Sequence, residues 1–269
     1  MGAVSVKNEY SDVRVPNSLS LTHKLSGGTI RIFRPLLKVN MLAYRVDIAD
    51  ALFPEGSPNG EVSGSPIDRM LFIGDAAIAG YGVRHHGLGL ASQAARRAAR
   101  QRVRGSEWNT IGDPELTMAR ASALPELDND TFDAIVVALG PPDVLLGTGG
   151  TAWSESIDRL VERVLHTQGS SCSVIISAIP PMNRFRRMPG FVQRILALQL
   201  GRLNRATRAA AARHPNVTYS PFPHLETSGV VIQDKFNWRT VHALWGKQLG
   251  ETISTALDRA APHSRPPAP

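Results

Sequence analysis

Three short runs in this chain are apolar at every position: Met70-Leu71-Phe72-Ile73, Ala134-Ile135-Val136-Val137-Ala138-Leu139 and Val174-Ile175-Ile176. A strand with one wet face alternates polar and apolar residues. A run without alternation is covered on both faces. Between and after these runs lie stretches with helical spacing. Leu88, Ala91, Ala95 and Ala99 recur within 88–104, and Ile157, Leu160, Val161, Val164 and Leu165 recur within 154–166. A long Ala/Leu/Arg-rich helix follows over 191–214. Apolar strands alternating with amphipathic helices predict a mainly parallel sheet between two helical layers, an α/β/α sandwich. Shorter strands are expected at Glu107–Ile111 and Val217–Tyr219, with helices at Pro114–Leu124 and Thr240–Ala260. In such sheets ligands bind beyond the carboxyl ends of the strands. The chemistry is therefore sought just after Ile73, Ile111, Leu139 and Ile179, and in the loop before the last helix.

The regular pattern begins near residue 67. Residues 1–66 read as an N-terminal extension, 67–261 as the main domain and 262–269 as a Pro-rich tail. In the extension, 1–28 is a loose lead-in and 54–66, with several Gly, Ser and Pro, is a linker by composition. Residues 30–53 mix Arg31, Arg34, Lys38 and Arg45 with Ile32, Leu36, Leu37, Met41, Leu42 and Tyr44. Two readings stay open for that segment: a helix packed on the main domain, or an interfacial helix touching an anionic membrane surface. It is too short and charged to span a bilayer. With no signal-peptide core at the start, a soluble, cytoplasmic chain is expected.

Apolar residues make up 42% of 269, enough to bury a sizeable core. The net charge of +7 favours anionic neighbours, but the basic residues are dispersed and form no nucleic-acid motif. The single cysteine, Cys172, is expected to be a buried, inert thiol. No Cys/His spacing suggests a metal, and no cofactor motif is present.

The strand ends carry distinctive blocks. Gly74-Asp75-Ala76 follows the first strand and Gly112 the second. Gly140-Pro141-Pro142-Asp143 follows the third, and Asp234-Lys235-Phe236-Asn237 precedes the last helix. Their order and spacing over about 67–250 resemble the SGNH (GDSL-type) hydrolases, in particular the actinobacterial lipase-like branch. Trp153 and the turn Pro180-Pro181-Met182-Asn183-Arg184-Phe185 add to the likeness. The resemblance implies a flavodoxin-like α/β/α fold and ester hydrolysis or acyl transfer. A serine after Gly-Asp would be the nucleophile, and a histidine oriented by Asp234 its general base. The oxyanion would be held by the serine N–H, the Gly112 N–H and an Asn side chain after the third strand.

The chain departs from that pattern at three places. Ala76 stands at the nucleophile position, and a methyl group cannot attack a carbonyl. Pro142 stands at the Asn position, with no amide to donate. Asn237 stands at the base position, and an amide takes up no proton at neutral pH. Asp75, Gly112, Asp143 and Asp234 remain. A serine-to-alanine exchange engineered into a working esterase or acyltransferase would account for Ala76 but not for the other two positions. Two functions are therefore carried forward. One is a pseudoenzyme that binds an acyl or ester ligand, such as acyl-CoA, or a protein partner. The other is a serine esterase or acyltransferase with an engineered Ala76.

Other candidates are weaker. His242 lies eight positions after Asp234 and is expected to face neighbouring side chains. His85 and His86 are expected in solvent, and Ser177 inside its strand. Thr148, Gly149 and Gly150 shape a loop. Arg184, Arg186, Arg187 and Arg194, interleaved with Phe185, Met188 and Phe191, suggest an apolar lid with a basic rim suited to a phosphate-bearing acyl ligand.

Overall fold

A computed structural model describes residues 34–127, 130–185, 188–225, 231–232 and 235–260. Asp234, Arg186, Arg187, the lead-in 1–28 and the tail 262–269 lie outside the described residues. The helices are α1 (Arg34–Ala49), α2 (Leu90–Arg102), α3 (Met118–Ala121), α4 (Pro141–Leu146), α5 (Gly150–Gln168), α6 (Gly190–Ala211) and α7 (Trp238–Ala260). The strands are β1 (Gly60–Val62), β2 (Ile67–Gly74), β3 (Gly105–Gly112), β4 (Ala134–Ala138), β5 (Ser173–Ser177), β6 (Val217–Ser220), β7 (Val231–Ile232) and β8 (Lys235–Phe236).

Six strands form one sheet in the order β1-β3-β2-β4-β5-β6. All neighbours are parallel except β1, which runs antiparallel to β3. The expected α/β/α architecture is present, and the five parallel strands follow the flavodoxin-like order. The apolar runs are central for the expected reason: β4 and β5 are buried at every residue. One layer packs α5, α6 and α1 on Leu71, Ile73, Ile135, Val137, Val174 and Ile176. The other packs α2 and α7 on Met70, Phe72, Val136 and Ile175.

Several elements differ from the sequence expectation. Residues 54–66 are not all linker, since Gly60–Val62 pairs with Ser106–Trp108 as an edge strand. Three residues between Asn59 and Ser63 give too short a pattern to read. The helix expected over 114–124 shrinks to Met118–Ala121, capped by Thr117 Oγ1 accepting the Arg120 N–H. The prolines that close β4 open α4, because proline suits the first helical turn, where N–H groups are unpaired anyway.

Of the two readings for residues 30–53, α1 bears out packing on the domain. Leu37 and Met41 are buried in the core, and the Tyr44 hydroxyl donates to the Pro114 carbonyl at 2.6 Å. Its outer face carries Val39, Leu42 and Val46, all exposed. No helix among the described residues is long and apolar enough to cross a membrane. Cys172 is buried, and burial pushes its thiol up to about 12.

Candidate functional site

The parallel order reverses between β2 and β4, and there the sheet opens a crevice at its carboxyl edge. The turn after β2 is tight. Asp75 O accepts the Ala79 N–H at 3.0 Å, and Ala76 O accepts the Tyr81 N–H at 2.8 Å. The Asp75 side chain folds back into this turn and across to the next strand. Its Oδ1 accepts the Ala77 N–H at 3.1 Å and its Oδ2 the Gly140 N–H at 3.0 Å. One carboxyl group thus ties the ends of β2 and β4. Gly140 has φ 151, and a Cβ there would collide with the Ile179 side chain. Only glycine serves at that junction.

Burial raises the Asp75 carboxyl to about 7, against the pull of its two backbone donors and with a further push from Asp143. Asp143 is also buried. Its Oδ2 accepts the Met118 N–H at 2.9 Å and its Oδ1 the Thr148 hydroxyl at 2.8 Å. Burial moves it upward too. It organises the loops behind β3 and β4.

Beside Ala76 is a cavity of about 450 Å³. The turns after β2 and β4 give Asp75, Ala76, Ala77, Tyr81 and Pro141; the turn after β5 gives Pro180, Met182 and Phe185; α1 gives Tyr44, Asp47 and Ile48. The first turns of α7 give Trp238, Val241, His242 and Trp245, whose spacing puts them on one helix face. Aromatic rings meet edge to face along this wall: Tyr81 and Trp238 at 4.9 Å, Phe185 and Trp238 at 5.4 Å, Phe222 and Trp245 at 5.0 Å.

Of the sequence candidates, Ala76, Asp75 and Phe185 line the cavity. Pro142 is buried in α4, and its neighbour Pro141 faces the cavity instead. Gly112 sits off the cavity wall, where a Cβ would come within 2.7 Å of Ala79 backbone. Asn237 caps α7: its Oδ1 accepts the Thr240 N–H at 3.4 Å and its carbonyl the Val241 N–H at 3.1 Å. Ser177 is buried in β5 and accepts the Trp245 Nε1–H at 2.9 Å. His85 is exposed.

His242 is the residue the sequence reading undervalued. It is buried against its neighbours, as expected, but it also lines the cavity. Its Nε2 lies 2.9 Å from the Tyr81 carbonyl, which can only accept. The ring proton is therefore on Nε2, and Nδ1 is buried with no hydrogen-bond partner among the described residues. Burial lowers its basicity, so the ring is neutral at pH 7. The α1 contribution was also missed. The signals were the four-residue step from Tyr44 to Ile48 and the 238/241/242/245 stripe. Among the described residues no group of three His, Cys, Asp or Glu side chains could hold a metal ion.

Solved structures share this frame. A TesA crystal structure superposes with a TM-score of 0.51 at 17% identity, over 72% of this chain and 99% of its own. A lipolytic G-D-S-L family protein from Veillonella parvula gives 0.52 at 17%, over 70% and 98%. The inhibitor-bound aryl esterase of M. smegmatis gives 0.51 at 17%, over 71% and 100%. At these identities the likeness speaks for fold alone. No curated protein sequence matches the chain. The profile of the GDSL-like Lipase/Acylhydrolase family matches residues 72–244, which span the strand-end blocks from Gly74 to Asn237. Taken with the parallel sheet and the crevice at its switch point, that match makes the chain a member of the GDSL-like lipase/acylhydrolase family.

Proposed function

We propose that the chain is a non-hydrolytic member of this family, a pseudoenzyme that binds a small acyl or ester-type ligand beside Ala76. One observation carries the reading: no Ser, Thr or Cys is among the described residues lining the cavity. Acyl transfer through a side chain needs a nucleophile within reach of a base. Among the described lining residues the hydroxyls are those of Tyr44 and Tyr81, and Tyr44 is engaged with the Pro114 carbonyl. The oxyanion side is depleted as well, because Pro142 offers neither side-chain amide nor backbone N–H. The cavity itself persists, with a volume in the range of small-molecule sites. Its Ile48, Met182 and Val241 walls suit an apolar body.

Turnover of short-chain p-nitrophenyl esters tests the reading. The chain, and Ala76→Ser alone, are expected to release no p-nitrophenol above background. Strong activity in Ala76→Ser would overturn it, because Pro142 and Asn237 would then be tolerated in a working site. That outcome would favour an esterase or acyltransferase lacking only its serine. The triple variant Ala76→Ser, Pro142→Asn, Asn237→His is expected to stay silent if the pocket has been remodelled around α1 and α7.

A further inference from the structure

Apolar exposure is concentrated on one side of the sheet. Val39, Leu42 and Val46 on α1, and Phe191 and Leu198 on α6, are between 59% and 62% exposed. The steps 39/42/46 and 191/198 keep each set on one side of its helix. Leu146 on α4 is exposed too, and α4 contacts both α1 and α6. The opposite layer differs: among the described residues, α2 and α7 expose a single large apolar side chain, Leu244. Lone exposed apolar residues are ordinary, but a set gathered on one layer marks a contact surface. α1 also precedes the family match at 72–244, so the family fold does not account for its outer stripe.

Charge is segregated on the same layer. Basic residues are dispersed along the chain, but acidic ones are not. Residues 163–225 hold nine arginines, no lysine and no Asp or Glu. That segment carries a formal +9 against +7 for the whole chain, so everything else together carries −2. α6 lies inside it, with four arginines and no acid. Arg194 and Arg205 are exposed on the side of α6 that carries Leu198, and Lys38 is exposed beside Val39 on α1. Among the described residues, Lys38, Arg194 and Arg205 have no ion-pair partner. Of the acids near the α1 stripe, Asp47 lines the cavity and Asp50 lies past the helix end.

We propose that the outer faces of α1 and α6, bridged by α4, dock on the surface of an anionic lipid bilayer. The contact is peripheral. The exposed apolar side chains enter the boundary between headgroups and acyl chains, and Lys38, Arg194 and Arg205 meet the lipid phosphates. A second copy of the chain suits the face less well, because a two-fold contact would set its arginines against one another. The opposite side of α1 lines the cavity through Tyr44 and Ile48, yet docking does not depend on what the cavity holds.

The test is co-sedimentation of the full chain with two kinds of vesicle, phosphatidylcholine alone and phosphatidylcholine mixed with phosphatidylglycerol. At about 0.01 M salt the chain is expected to bind the mixed vesicles about tenfold or more tightly than the neutral ones. At about 1 M salt, where the Debye length falls from about 30 Å to about 3 Å, the two affinities should come within about twofold. Two variants change exposed side chains alone and are expected to keep the wild-type melting curve. Lys38→Gln, Arg194→Gln, Arg205→Gln should weaken binding to mixed vesicles about tenfold or more. Leu42→Gln, Leu198→Gln should do the same, because the apolar stripe no longer enters the interface. Failure to sediment with mixed vesicles at low salt overturns the proposal, and so does equal binding to both vesicles there. If either variant binds as wild type does, the membrane contact lies elsewhere on the chain and this face is not the docking surface. Sedimentation velocity without vesicles is expected to show a species unchanged by Leu42→Gln, Leu198→Gln. A dimer that this variant splits would give the face to a second copy instead.

Discussion

The carboxyl group of Asp75 accepts the backbone N–H of Gly140 at 3.0 Å, so the ends of β2 and β4 are joined by an acid that burial raises to about 7. Unfolded, that carboxyl loses its proton near 3.8; folded, it keeps the proton to about 7. Between those values the native state holds a proton that the unfolded chain has lost. Its contribution to stability therefore falls as pH rises through that window, by at most about 1.4 kcal/mol per pH unit, and is level above it. Asp143, raised by burial, acts in the same direction. His242, lowered by burial, acts oppositely in acid, and Tyr44, raised mainly by burial and then by Asp75, stays neutral throughout. The difference between wild type and Asp75→Asn isolates Asp75. Urea unfolding at steps from pH 4 to pH 8 should show wild type losing stability relative to Asp75→Asn up to pH 7, with no further divergence above. A pH-independent difference would mean that Asp75 titrates normally.

The two faces of α1 should respond differently to truncation. Leu37 is 1% exposed and packs in the core, while Leu42 is 60% exposed. Leu37→Ala is expected to cost about 2–5 kcal/mol through lost transfer energy and a cavity. Leu42→Ala should change stability by no more than about 0.5 kcal/mol. Denaturant midpoints of the two variants check the pair. Equal small effects would show that α1 does not contribute to the core.

How far the sequence could be read depended on whether a residue's environment is local. The runs Met70–Ile73 and Ala134–Leu139 announced a covered parallel sheet, because burial on both faces removes alternation within the run itself. The turn blocks Gly74-Asp75-Ala76 and Gly140-Pro141-Pro142-Asp143 were legible for the same reason: each is contiguous, and each lies at a strand end. The cavity wall was not. Tyr44 reaches it because α1 folds back onto the loop at Pro114, 70 positions away. His242 reaches it because its Nε2 binds the Tyr81 carbonyl, 161 positions away. Asn237 occupies the base position of the family pattern and caps a helix, and nothing in its sequence neighbours distinguishes the two roles. Pro142 occupies the position of the family's oxyanion donor, yet the first turn of α4 buries it and offers Pro141 to the cavity.

Far from the site, Arg102 and Asp68 form a buried ion pair at 2.7 Å, with side chains 4% and 5% exposed. Arg102 also bonds Asp258 on α7. The pair clamps the start of β2 to the ends of α2 and α7. Asp68 also pairs with Arg104 at 2.9 Å, so removing it takes the carboxylate from two guanidinium groups, one of them buried. Asp68→Ala is expected to lower stability by about 3–5 kcal/mol, measured by urea unfolding. A loss below about 1 kcal/mol would mean that Arg102 escapes to solvent or leans fully on Asp258.

The end of α2 offers a change in the opposite direction. Val103 is the C-cap residue, with φ 52 and ψ 48, and is 86% exposed. Its backbone N–H satisfies the Ala99 carbonyl, and the Arg104 N–H reaches the same carbonyl at 3.1 Å. The conformation is therefore required by the helix end and not by the side chain. A β-branched residue is strained there, because its Cβ crowds the backbone, whereas glycine adopts the left-handed region freely. With most of the valine surface in water, truncation forfeits little burial. Glycine loses more chain entropy on folding, which offsets part of the relief. Val103→Gly is expected to raise stability by about 0.5–1 kcal/mol, seen as a higher denaturant midpoint with an unchanged slope. A fall in the midpoint would show that Val103 makes apolar contacts that outweigh its backbone strain.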